Sequence, residues 1–319
     1  MKALIQKVPV PIAGLTLGLT ALGNLIAGLS PALRWGCGAV AAALFLLLIL
    51  KLILFPAQIR RDLESPIIAS VSATAFMTVM QLCSYVQPFF PAASLAVWYA
   101  AVAGHFALMI AFSLRFLRRF RLADVYPTYF IAFVGIVVAS VTSAAFGRQT
   151  LGFAIFWFGF AAYLILLAVV TARYVKLPVA DSAKPLFCIY TAPMSLCLAG
   201  YLTTAAQPSL AFAAVLAAAA QVLYVIVLTQ LPKLLRLPFY PSYAAFTFPF
   251  VITAIALQKF LALLSAAGFA APAALSWLLA AETVVACIMV GYALARYLIF
   301  LLGALRPARA AAPAPAGEN

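Results

Sequence analysis

The sequence predicts an all-α integral membrane protein: ten transmembrane helices, built as five helical hairpins in a pseudo-five-fold arrangement, with odd helices lining a central pore and even helices outside. Three observations predict it. Of 319 residues, 67% are hydrophobic and 8% charged, whereas a soluble domain carries about 25% charged residues. Apolar stretches long enough to cross a bilayer, roughly 20 residues each, succeed one another with short connections. Prolines recur at near-constant intervals where alternate stretches begin.

The stretches run over 12–28, 32–54, 66–86, 92–114, 127–146, 151–171, 185–204, 209–230, 241–261 and 273–300. The first follows Lys2 and Lys7, as in a signal peptide, but it carries Pro9 and Pro11 and runs straight into the bundle. It reads as an uncleaved first helix. One transmembrane domain over 1–305 is expected, followed by a short disordered cytoplasmic tail at 306–319. That leaves no room for a soluble catalytic domain.

Connections after even stretches are longer and basic, with Arg60 and Arg61, Arg115 to Arg121, Arg173 to Lys184, and Lys233 with Arg236. Those after odd stretches are short and nearly uncharged. Sixteen Lys and Arg fall on the first face and three (Arg34, Arg148 and Lys259) on the other. Because positive charge accumulates on the cytoplasmic side, both termini are expected inside. The basic loops read as a topology signal and as contacts to membrane lipid headgroups. The net charge of +14 is spread over helix ends rather than gathered in one patch, which argues against nucleic acid.

Pro9 (or Pro11), Pro66, Pro127, Pro185 and Pro241 open the odd stretches at spacings of 57, 61, 58 and 56 residues. Proline is tolerated in a first turn, where its missing N–H has no partner to lose. A period held over four intervals indicates a repeated two-helix unit. Within the stretches, Ser, Thr, Asn and Gln number 21 in the odd set and 9 in the even set. Odd stretches also carry the breakers Gly14, Gly18, Gly135, Pro193 and Pro249. The polar, broken set belongs inside, and its axis should present hydroxyls, glycine backbone and apolar side chains.

Enzymatic constellations are missing. His105 is the only histidine, and Glu282 is the only one of six acids inside a stretch. No metal cluster, cofactor site or nucleophile motif can be assembled from this set. The five cysteines lie in apolar segments without metal-type spacing and read as small core residues. Glu282 is costly in a bilayer and therefore a functional candidate. Structural contact is the favoured role, with proton coupling as its competitor. His105 also reads as structural.

Seven positions after each leading proline stand Gly18 (counted from Pro11), Ala73, Val134, Ala192 and Phe248. Four are small or medium, and Phe248 is a large aromatic one residue before Pro249. Its ring could close a narrow axis, or serve as ordinary packing. Gly14, Thr74, Gly135, Pro193 and Thr247 complete the expected lining.

The run Pro11-Ile-Ala-Gly-Leu-Thr-Leu-Gly-Leu-Thr-Ala-Leu-Gly-Asn24 resembles the glycine-rich first helix of the tellurite-resistance/dicarboxylate transporter family. That family includes the bacterial TehA-type proteins and the plant guard-cell slow anion channels. Pro127-Thr-Tyr-Phe130 resembles its fifth helix, and Tyr243-Ala-Ala-Phe-Thr-Phe-Pro249 its ninth. The resemblance implies a homotrimer, a bacterial inner-membrane location, and a pore plugged by Phe248, with Phe246 as the alternative. Thr16 departs from the family, whose bacterial members carry proline there. The expected function is an anion channel or channel-like exporter for small inorganic or dicarboxylate anions. The alternative is a proton-coupled carrier of dicarboxylate or sulfite. Neither is an enzyme, and neither needs a cofactor.

Overall fold

The computed structural model describes residues 2–303, so the tail expected at 306–319 lies outside the described residues. No β-strand occurs among the described residues. The main segments are α1 (Ile12–Leu25), α2 (Pro31–Leu54), α3 (Pro66–Val86), α4 (Pro91–Leu117), and α5, which joins Thr128–Phe133 to Gly135–Phe146. They continue with α6 (Gln149–Lys176), α7 (Asp181–Thr204), α8 (Leu210–Leu234), α9 (Pro241–Ala266) and α10 (Ala273–Gly303). Eight are long and apolar enough to cross a membrane, while α1 and the Gly135–Phe146 part of α5 are shorter apolar helices.

Local chemistry sets the ends. Ser30 caps α2 by accepting from the Leu33 N–H, with Pro31 in the first turn, and Ser209 caps α8 by accepting from Phe212 N–H. Both are standard helix starts. The tight turn between α5 and α6 places Gly147 at φ +63°, a left-handed conformation that favours glycine.

Burial divides the helices into two sets. In α2, α4, α6, α8 and α10 only 28–33% of the apolar window is buried, against 50, 83 and 67% in α3, α7 and α9. All of α1 but Asn24 is buried. Exposed aliphatics such as Leu46, Ile110, Ile165, Val222 and Ile288 all lie on even helices, forming the apolar surface a bilayer requires. Three cysteines are buried, but Cys287 is exposed on α10 and Cys37 is half-buried on α2, so neither is the core residue expected.

The odd helices contact one another in sequence: α1 with α3, α3 with α5, α5 with α7, α7 with α9, and α9 back with α1. Each even helix packs on the odd helix before it. Side-chain hydroxyls secure four of the five odd–odd seams. Thr16 shares a 3.1 Å hydrogen bond with Thr78 (α1–α3), and Ser70 donates to Thr128 at 2.8 Å (α3–α5). Thr191 and Ser195 meet Thr253 at 2.6 and 3.1 Å (α7–α9), and Thr247 donates to the Gly14 carbonyl at 3.0 Å (α9–α1). At the α5–α7 seam, Gly200 admits Val137 so closely that an added Cβ would lie 2.6 Å from Val137 Cγ1. Several hydroxyls of the odd helices, expected to face the axis, therefore tie those helices to one another instead.

Candidate functional site

Three cavities are stacked along the odd helices. The central one, about 50 Å³, has room for only a few water molecules. All five odd helices line it: Gly14 and Leu17 of α1, Thr74 and Met77 of α3, Val134 and Gly135 of α5, Ala192, Pro193 and Leu196 of α7, and Phe248 and Pro249 of α9. Its wall is apolar apart from Thr74 and Ser242.

A lower cavity of about 670 Å³ sits at the N-terminal ends of α3, α7 and α9 and shares Pro11, Leu186 and Ser242 with the central one. Lys7, Lys51 and Asp62 line it. Lys51 is nearly fully buried, donates to the Val8 carbonyl at 2.7 Å and pairs with Asp62 at 3.4 Å. An upper cavity of about 330 Å³ lies toward the C-terminal ends of the odd helices, among Asn24, Gln81, Ser84, Val141, Thr142, Ala145, Ile255, Gln258 and Lys259, with Arg34 from the start of α2. Four helices thus contribute to both the central and upper cavities, a turn or more further along each.

The break in α9 positions Phe248. A tight 3-10 stretch, Pro241–Phe246, ends at Thr247, and the α-helix starts at Phe248 with Pro249 in its first turn. Pro249 therefore opens a helix rather than kinking one, since its ring N has no proton to lose there. The Thr247 hydroxyl is spent on the Gly14 and Ala244 carbonyls, at 3.0 and 2.7 Å. Against this junction lies Gly18, where an added Cβ would stand 2.4 Å from Thr247 Cβ and 2.9 Å from the Phe248 nitrogen.

Of the residues expected on the axis, the central cavity gathers Gly14, Thr74, Val134, Gly135, Ala192, Pro193, Phe248 and Pro249. Gly18, Ala73 and Thr247 do not line it; Gly18 and Thr247 form the seat behind Phe248. Phe246 is fully buried with its ring 4.7 Å from that of Tyr243, away from the cavity. Sequence reasoning missed eleven of the lining residues, Leu17, Met77 and Leu196 among them. These three stand three or four positions beyond a residue that was expected, so extending the helical period by one turn finds them.

Thr16, which departs from the resembled family, bonds the Ala13 carbonyl at 2.9 Å inside an unbroken α1. His105 holds the Ala132 carbonyl at 3.0 Å and packs on Phe76, a structural contact behind α5. Glu282 is buried on α10, with its carboxylate facing Gln221 and Tyr224 of α8. It lines none of the three cavities.

A sequence model of the voltage-dependent anion channel (SLAC1) family matches residues 7–298, nearly the whole chain. The chain belongs to the voltage-dependent anion channel family. No curated protein matches it. Family membership and the apolar even helices make it a multi-pass membrane protein, of a family that comprises anion channels and transporters rather than enzymes.

Proposed function

We propose that this family member is an anion channel, or channel-like exporter, whose pore follows the three stacked cavities and is closed at Phe248. The observation that carries the reading is the small apolar cavity of about 50 Å³, lined by all five odd helices and by Phe248, between cavities of about 670 and 330 Å³. An apolar constriction of this kind gates by excluding water, and its lack of fixed charge suits fast passage over tight binding. On this reading ten helices form five hairpins, with α1 and α5 completing the eight long spans. The lower cavity faces the cytoplasm, as the distribution of Lys and Arg supports. The resemblance to bacterial relatives supports a homotrimer in the inner membrane.

The test is Phe248→Ala. In planar bilayers it should raise anion conductance severalfold at unchanged protein incorporation, and unaltered conductance would remove the gate. Reversal potentials across chloride, nitrate, sulfite and malate would then rank the cargo.

A further inference from the structure

We propose that the upper cavity is a capture site for a small inorganic anion, held between Arg34 and Lys259. The proposal rests on the channel reading and extends it to a second station along the pathway. The two cations arrive from distant parts of the chain, α2 and α9, yet line one cavity with no carboxylate among its lining residues. Neither forms an ion pair among the described residues.

Arg34 is held in place. Its guanidinium lies 4.4 Å from the centre of the Tyr85 ring, and its Nε donates to Asn24 Oδ1 at 3.0 Å. Asn24 in turn donates to Gln81 Oε1 at 2.9 Å. Tyr85 is fixed by its own hydrogen bond to the Thr20 carbonyl at 2.6 Å, and by Gly23 and Gly38, where an added Cβ would come within 2.3 and 2.7 Å of it. Asn24 and Tyr85, each fixed in turn, therefore hold one cation at the cavity while leaving its terminal N–H groups free of carboxylates.

The helix ends explain why cations are needed there. α1, α3 and α5 end within a few residues of the upper cavity, and each C-terminus carries a partial negative charge of about half an electron. An anion would be repelled unless fixed positive charge reversed the local sign. Arg34 and Lys259 supply it. Lys259 lies eleven residues beyond Phe248 on α9, roughly 16 Å along the axis, so a captured anion waits beyond the constriction rather than within it.

The experiment compares wild type with Lys259→Gln, Arg34→Gln and Arg148→Gln in bilayers, using chloride and nitrate in parallel on the upper side. Arg148 is the control: it lies at the same end of the bundle, bonded to the Tyr99 hydroxyl outside the cavity. At about 10 mM salt, where the screening length is roughly 30 Å, Lys259→Gln and Arg34→Gln should each cut anion entry from that side about threefold or more. At about 1 M, where screening falls to roughly 3 Å, both should approach wild type. Arg148→Gln should lose less than either. Equal losses at both concentrations, or losses no larger than that of Arg148→Gln, would overturn the capture site. Should Arg34→Gln fail to fold, Lys259→Gln decides, because its side chain makes no hydrogen bond among the described residues. A Phe248→Ala protein lacking both chloride and nitrate current would instead overturn the channel reading.

Discussion

Gly18 shows how a single hydrogen atom in place of a methyl group shapes this site. The α9 junction sits so close to α1 that no side chain fits at position 18. Gly18→Ala should push the Thr247–Phe248 segment off α1 and destabilise the protein by about 1–3 kcal/mol, the usual range for overpacking a core. Thermal unfolding in detergent measures it, and a wild-type melting temperature would refute the contact. Sequence phase alone paired Gly18 with Phe248, but took both to face the axis. Only α9's tertiary approach reveals that one supports the other. Arg34 and Lys259 were less legible still, since nothing local to either residue indicates that they line one cavity.

Among the elements, four of the five odd helices are interrupted. Gly135, Pro193 and Pro249 mark breaks in α5, α7 and α9 that the residue types foretell. α1 stays continuous through Gly14 and Gly18, because there glycine serves close packing rather than bending. α3 is interrupted at Ser72, between Pro66–Val71 and Ala73–Val86, with no Gly or Pro at that point to announce it. The seams between elements rest on hydroxyls, which were legible as an excess in odd helices but not as a pattern of partners. Thr253→Val removes the hydroxyl that meets Thr191, Ser195 and the Pro249 carbonyl together. It should cost about 0.6–1.7 kcal/mol, the measured range for hydrogen bonds between membrane helices. A shift of the melting temperature well beyond that of Thr203→Val, whose hydroxyl bonds only within its own helix, is the expected sign.

At the scale of the molecule, the all-helical membrane class and the division into buried and exposed helices were readable from composition and period, and the family from the residues of three short stretches. The mode of transport is decided by the whole bundle. A proton-coupled carrier needs its titrating group on the path of the cargo, and Glu282 stands off the stacked cavities. Flux into proteoliposomes should therefore follow the anion gradient and voltage, indifferent to a proton gradient, in wild type and Glu282→Gln alike. Proton dependence that vanishes in Glu282→Gln would restore the carrier. The buried pair at the lower cavity makes a further demand. Asp62→Asn strands the enclosed Lys51 ammonium, whereas Lys51→Met strands a carboxylate that water reaches. The first should destabilise more, toward the roughly 3–5 kcal/mol typical of an orphaned buried charge, and equal melting temperatures would contradict that ordering.

On the proposed channel reading, the unequal volumes of the three cavities have an electrical meaning. Wide and narrow compartments in series act as unequal resistors, and an applied potential falls mostly across the narrowest. Here that is the compartment of about 50 Å³ beside Phe248, flanked by about 670 and 330 Å³. An ion gains about 2.3 kcal/mol per 100 mV in crossing the full drop, and nearly all of it would be delivered along the short stretch of the phenyl ring. An ion resting beside Arg34 would sense almost none, so its residence there should be nearly blind to voltage while its next step is driven by it.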